Sequence, residues 1–267
     1  MLSLTLGALV GMILALTGAG GGVLAVPLLV FGLGMRIGDA APVALIAVGS
    51  SAAMGAAMGL RSAHVRYRAA LFMAALGLAG SPLGWWLGRQ IPNTPLTLLF
   101  AAVLAYTCGR MLLRASDALA GKPPRASATT APCHLDPLVG RLRWTFPCAR
   151  ALGLAGFGTG VLSALLGVGG GFVIVPTLLR ATDLDMQSIT ATSLAIIALI
   201  SAESIGVYWT AGHALPWETA APFAAGAVVA LVLGRRIARY ASGPRLQQLF
   251  ATVGLIVAAA MALRSAL

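Results

Sequence analysis

A glycine-rich element occurs twice in this chain, and the two copies stand in fixed register. Residues Leu16 to Leu29 read LTGAGGGVLAVPLL and residues Leu165 to Leu178 read LLGVGGGFVIVPTL, an offset of 149 (165 − 16 = 149). At that offset Gly18, Gly20, Gly21, Gly22, Val26 and Pro27 fall on Gly167, Gly169, Gly170, Gly171, Val175 and Pro176. Without a gap, Leu45 then falls on Leu194 and His64 on His213. Further on, LGRQI (Leu87 to Ile91) matches LGRRI (Leu233 to Ile237), now at 146 (233 − 87 = 146). Apolar segments resemble one another by chance; glycines and prolines held in register do not. The chain reads as a tandem duplication.

Each copy of the element interrupts a long apolar run. Hydrophobic residues make up 59% of the chain and charged residues 9%, too little charge to cover the surface of a soluble domain. The bilayer is the solvent this composition suits. The apolar segments fall at about 2–33, 40–60, 69–88 and 94–114, then 149–182, 187–209, 217–234 and 246–263. They divide the chain into a first transmembrane repeat (1–115), a polar linker (116–148) and a second repeat (149–267). The N-terminal run carries no Lys or Arg before it, so it reads as a retained helix and not a secretory signal.

Residues 2–33 as one straight helix would be about 48 Å long, against a hydrocarbon core of about 30 Å. Split at Gly18–Gly22, the pieces are short for separate crossings. A re-entrant hairpin resolves this, with its glycine turn at membrane depth, where protein or a water-filled cavity must cover the backbone. Charge provides a second test. If both broken segments crossed, seven of the 18 basic residues would face one side: Arg36, Arg89, Arg180, Arg235, Arg236, Arg239 and Arg245. If both are re-entrant, only Arg36, Arg89 and Arg264 do, and 15 (18 − 3 = 15) share the other side, which should be cytoplasmic. Each half then crosses three times. The expected fold is an all-α polytopic membrane protein of two inverted repeats, each a Gly-broken re-entrant hairpin plus three transmembrane helices. The linker is expected in the cytoplasm and both termini outside. Inverted repeats with discontinuous helices are a recurring design of secondary transporters, with the site at the repeat interface near the midplane.

The residues suggest what such a site is made of. At Gly20, Gly21 and Gly22, and at Gly169, Gly170 and Gly171, the backbone can turn sharply and approach a ligand with no Cβ between. The helix after each triplet presents free N–H groups and a positive dipole end, a setting that suits an anion. Close helix packing alone would also use such glycines. Ser50, Ser51, Thr190, Thr192, Ser193 and Ser201 add neutral hydroxyls, which hold an oxyanion without trapping it; back-bonding to a helix carbonyl is the competing role. Glu203 is the one acid well inside an apolar segment and is the candidate for proton coupling, with a structural acid as the alternative. His64 and His213 are gating candidates near segment ends, where interfacial structure competes. Asp39, Asp183 and Asp185 precede apolar segments and read as helix caps. Trp85, Trp86, Trp209 and Trp217 read as interface anchors.

Other classes are weakly served. The net charge of +11 reads as topogenic arginines and not as a nucleic-acid surface. Cys133, His134 and Cys148 are too sparse a set for a metal site, and no metal or cofactor is expected. No Lys-Ser or Lys-Thr follows the glycines, so no Walker loop is present, and neither HExxH nor GxSxG occurs. A membrane-embedded enzyme would need an acid–base cluster that Glu203 alone does not make, and a non-transporting scaffold subunit would not need two matched breaks.

The paired GAGGGVLAVPLL and GVGGGFVIVPTLL elements, with TATSL at Thr190–Leu194 after the second, resemble the signature of the TauE/SafE sulfite-exporter family. The resemblance covers both halves. It implies a carrier of small sulfur-containing anions such as sulfite, thiosulfate or organosulfonates, commonly outward across a bacterial inner membrane. It brings no cofactor, and a homodimer is compatible with it. The first half departs from the pattern, with APVAL (Ala41–Leu45) in place of TATSL. That removes two hydroxyls, so the second half is expected to supply more of the polar contacts.

Overall fold

The computed structural model describes residues 1–17, 21–62, 64–120, 133, 135–136, 141–142, 145–166, 169–212, 215–241 and 244–266. The first half contains α1 (Leu2–Thr17), α2 (Gly21–Leu33), α3 (Ile37–Arg61), α4 (Tyr67–Gln90) and α5 (Asn93–Leu119). The second contains α6 (Phe146–Leu166), α7 (Gly171–Ala181), α8 (Met186–Thr210), α9 (Trp217–Ala241) and α10 (Pro244–Ala266). Six of these, α3, α4, α5, α6, α8 and α9, are long and apolar enough to cross a membrane. The chain is a polytopic, helical membrane protein.

Both broken segments break where the glycines stand. Helix α1 ends at Thr17 and α2 begins at Gly21; α6 ends at Leu166 and α7 begins at Gly171. Gly32 near the end of α2 lies against Leu6 near the start of α1, its built Cβ 2.6 Å from Leu6 Cδ1, so α2 folds back along α1. Pro27 and Pro176 lie inside the returning helices, where each withholds a backbone donor. One arm is longer than its counterpart: α6 has 21 residues, about 32 Å. It recruits Phe146–Cys148 from what reads as polar linker, and Thr145 Oγ1 accepts from the Cys148 N–H at 3.3 Å to start it.

Helices α3 and α8 form the centre and run antiparallel. Gly49 packs on Ser201, Gly55 on Leu194 and Gly59 on Ala191, so one number falls as the other rises. Around them α1 lies beside α9, α6 beside α4, and α5 beside α10, while α2 touches α7. Exchanging the halves maps each of these pairings onto another in the set. Glycines allow the two outer pairs to meet backbone to backbone. A Cβ at Gly7 or Gly11 of α1 would run into the carbonyls of Phe223 and Ala227 on α9. One at Gly156 or Gly160 of α6 would meet Met73 and Gly77 of α4. These are two GxxxG pairs, the small-residue contact of membrane helices, and they lie 149 residues apart (156 − 7 = 149).

The linker is pinned to the second half. Cys133 and Cys148 form a disulfide with a Cα–Cα distance of 4.9 Å, which uses both cysteines that sequence reading considers for a metal; His134 lies outside the described residues. The Cys133 N–H donates to the Ala181 carbonyl at 2.9 Å, and Cys133 bridges Thr182 in parallel. The bridge thus joins the first turn of α6 to the end of α7, across the open end of that hairpin. Between the two cysteines, β1 (Leu135–Asp136) and β2 (Arg141–Leu142) pair antiparallel over two residues each.

Candidate functional site

The second glycine break is built around two residues in the left-handed region: Gly169 and Gly170 both have φ +69°. For a residue with a Cβ that conformation costs about 1–2 kcal/mol, and at Gly170 a Cβ would also run into Thr159 Cγ2 on α6. The turn lets α7 start at Gly171 with Gly170 as its N-cap and no side chain capping it. The N–H groups of Val173 and Ile174 both donate to the Gly170 carbonyl, at 3.0 and 3.3 Å. The earlier donors of this first turn are those a helix leaves for a ligand or a neighbour.

Two central helices cover this turn. A Cβ built on Gly169 would stand 3.1 Å from Val48 of α3, 3.2 Å from Ile197 of α8 and 3.2 Å from Ser201 Oγ. On the other side of Ser201 is Gly49, whose built Cβ would lie 2.7 Å from Ser201 Cβ. Val48 and Gly49 are near the middle of α3, so the contact lies at mid-depth of that helix. Ser201 and Ser51 are fully buried, and neither hydroxyl has a hydrogen-bond partner among the described residues. Other helix hydroxyls do what isolated helix hydroxyls usually do and bond back to a carbonyl. Ser50 donates to Ala47 at 3.1 Å, Ser193 to Thr190 at 2.9 Å and Thr159 to Ala155 at 2.6 Å. A buried, unpartnered polar group carries a desolvation cost of about 1–3 kcal/mol. Here one of them, Ser201, stands beside an uncapped helix start.

The other candidates are distributed around this point. Gly20 lies outside the described residues; Gly21 opens α2, and Gly22 is buried in its first turn. Ser50 is exposed. Thr190, Thr192 and Ser193 sit about 12–17 Å along α8 from Ser201. The Thr192 hydroxyl accepts from the Arg66 N–H at 3.0 Å and so holds the α3–α4 connection against α8. Glu203 is half-buried, and its Oε2 is buried with no hydrogen-bond partner among the described residues. Two residues beyond Ser201, it points to nearly the opposite side of α8. His64 lies in the α3–α4 connection near Asp185, and His213 is outside the described residues. Asp185 caps α8, accepting from the Ser188 N–H at 3.2 Å; that bond, helped by the positive field of His64, holds its carboxyl below the usual range.

The comparisons with known proteins agree with this architecture. Two proteins described as "Probable membrane transporter protein", from two strains of Xylella fastidiosa, align over 260 residues. The Temecula1 protein is 32% identical, covering 94% of this chain and 90% of its own length. The 9a5c protein is 33% identical, covering 95% and 90%. No solved structure matches the chain. Residues 3–261 match the family described as sulfite exporter TauE/SafE. With its glycine breaks, six membrane-capable helices and near full-length match, the chain belongs to the TauE/SafE family of membrane transporters.

Proposed function

We propose that this transporter is a secondary carrier that exports small sulfur-containing anions, such as sulfite, thiosulfate or organosulfonates, by alternating access. The observation that carries the reading is the Gly169–Gly170 turn with Ser201 at its side, that hydroxyl being buried and, like that of Ser51, without a partner among the described residues. An oxyanion at this point would accept from hydroxyl and backbone donors and relieve their desolvation, yet meet no full positive charge in the turn itself. Gly169, Gly170, Gly171, Ser51 and Ser201 form the core of the proposed site. The equivalent first break at Gly20, Gly21 and Gly22 forms its second wall. Thr190, Thr192 and Ser193 act farther along α8, with Ser50 at the outer edge.

The antiparallel crossing of α3 and α8 supports reading the halves as inverted repeats, because each helix is the other's counterpart. In this reading the domains are residues 1–115, 116–148 and 149–267. The charge distribution supports a cytoplasmic linker and termini outside a bacterial inner membrane. Glu203 is the proton-coupling group, with His64 and His213 at opposite mouths as gates. A thermal-shift screen of purified protein with sulfite, thiosulfate, sulfoacetate, taurine and chloride tests the substrate class. The reading expects a sulfur anion to raise the melting temperature, and equal responses to every anion including chloride would count against it.

A further inference from the structure

Arg235 is charged where its surroundings are not. The preceding sixteen residues of α9, Thr219 to Gly234, contain no Asp, Glu, Lys or Arg (234 − 218 = 16). The side chain is half-buried. Its Nη1 donates inward to the Gly55 carbonyl of α3 at 2.9 Å. A Cβ on Gly55 would stand 3.7 Å from the guanidinium carbon and 2.9 Å from Leu194 Cδ1, so the cation lies where α3, α8 and α9 converge. The neighbouring Gly234 packs on the last turns of α1, its built Cβ 2.8 Å from Ala15 Cβ and 2.9 Å from Met12 Sδ. Arg235 is therefore level with the end of α1, where the first glycine break begins.

Among the described residues no carboxylate pairs with it. Glu203, the acid within α8, is nine residues from Leu194, about 13 Å along the helix. A carbonyl orients a guanidinium but does not neutralise it, and a cation held between apolar helices without a counter-ion is costly. An arginine near a span's end ordinarily extends toward the headgroups; this one reaches inward to a central helix. The equivalent arginine of the first half, Arg89, is exposed and lies over the Trp85 ring at 4.9 Å. The two equivalent arginines are thus placed differently, one turned inward to a central helix and one exposed over a tryptophan ring.

We propose that Arg235 is a specificity-determining residue that binds the charge of an oxyanion where α3, α8 and α9 converge, level with the end of α1 and on the side of the membrane that carries most of the basic residues. This deepens the anion-carrier reading and rests on it. The planar fork of the guanidinium donates to two oxygens of a sulfite, thiosulfate or sulfonate group at once, an arrangement a spherical halide does not offer. One positive charge adds attraction without the several cations that would hold the anion fast. The phosphate of a lipid headgroup presents the same oxyanion chemistry.

The test is uptake of ³⁵S-labelled sulfite, thiosulfate and sulfoacetate into liposomes containing wild-type protein, Arg235→Gln or Arg235→Lys. Each is measured in phosphatidylcholine alone and with phosphatidylglycerol added. Arg235→Gln should raise KM roughly tenfold, the loss of about one charge-assisted hydrogen bond, with melting temperature near wild type. Arg235→Lys, which keeps the charge and loses the fork, should raise KM roughly threefold and weaken discrimination against chloride. Unchanged KM in Arg235→Gln overturns the proposal, as does a defect seen only when phosphatidylglycerol is present, which assigns the guanidinium to lipid. Should Arg235→Gln fail to accumulate, unchanged KM and unchanged chloride discrimination in Arg235→Lys overturn it equally. Wild-type protein that carries none of the three anions defeats the carrier reading itself, a result distinct from flux with an unaltered KM.

Discussion

Ser201 and Ser51 differ from Ser50, Ser81 and Ser193 in bonding to no carbonyl among the described residues. That difference is invisible in sequence, where all are small hydroxyls in apolar segments. It depends on helix rotation and on which neighbour arrives without a Cβ, here Gly49 and Gly169 beside Ser201. Because the Ser201 hydroxyl has no partner to lose, Ser201→Ala should leave the melting temperature unchanged or slightly raised. Removing a ligand contact should raise KM roughly fivefold, about 1 kcal/mol. A stability loss without a KM change would make the hydroxyl structural. Glu203 stands out in the sequence by its isolation among apolar residues, and its Oε2, buried and without a hydrogen-bond partner among the described residues, supports the proposal that it exchanges a proton. Glu203→Gln should make flux independent of pH when rates are compared on either side of neutrality. A pH profile like that of wild type would assign Glu203 to the fold. Arg235 had a different fate: its charge served the topology count, while its inward bond to Gly55 appears only when α3 and α9 meet.

At the scale of elements, the broken helices were plain from the sequence because a glycine triplet followed by a proline at matching distance constrains the backbone directly. The helix contacts were not, since a GxxxG pair shows its meaning only beside the helix it touches. Gly160→Ala would place a methyl group against the Gly77 backbone of α4, where no side chain can rotate aside. It should cost about 1–3 kcal/mol and lower the melting temperature by roughly 5 °C. Gly158→Ala on the same helix meets nothing within 4 Å and should change little, which separates packing from helix propensity. The disulfide was likewise missed, because the spacing of Cys133 and Cys148 says nothing about the hairpin end that brings them together. The topology proposed above puts this linker in the cytoplasm, where thiol pools keep cysteines reduced. The Cys133–Cys148 bond should therefore be open in growing cells and close on oxidation. Mass analysis after rapid alkylation should find both thiols modified by a membrane-permeant reagent and protected from an impermeant one. A bond that stays closed in cells, or labelling from outside, would place the linker in the periplasm and reverse the topology.

The molecule as a whole is two copies of one plan with unequal furnishing. The plan was readable because the duplication keeps its register across both breaks and as far as the paired histidines. The inequality was readable only in part: APVAL against TATSL showed that the second half is richer in hydroxyls. The structure adds that Thr192 is engaged with the Arg66 backbone and that the hydroxyl at the turn is that of Ser201. In the proposed reading a mobile anion between such halves would meet neutral donors at the second break and a cation level with the end of α1, and rocking of the halves would expose the site to one side at a time. The most direct test is efflux of ³⁵S-sulfite and ³⁵S-thiosulfate from liposomes containing the purified protein, with and without unlabelled anion outside. Alternating access predicts saturable, protein-dependent efflux that external substrate accelerates by exchange. Absent efflux, or a linear leak indifferent to external substrate and equal for chloride, would contradict it.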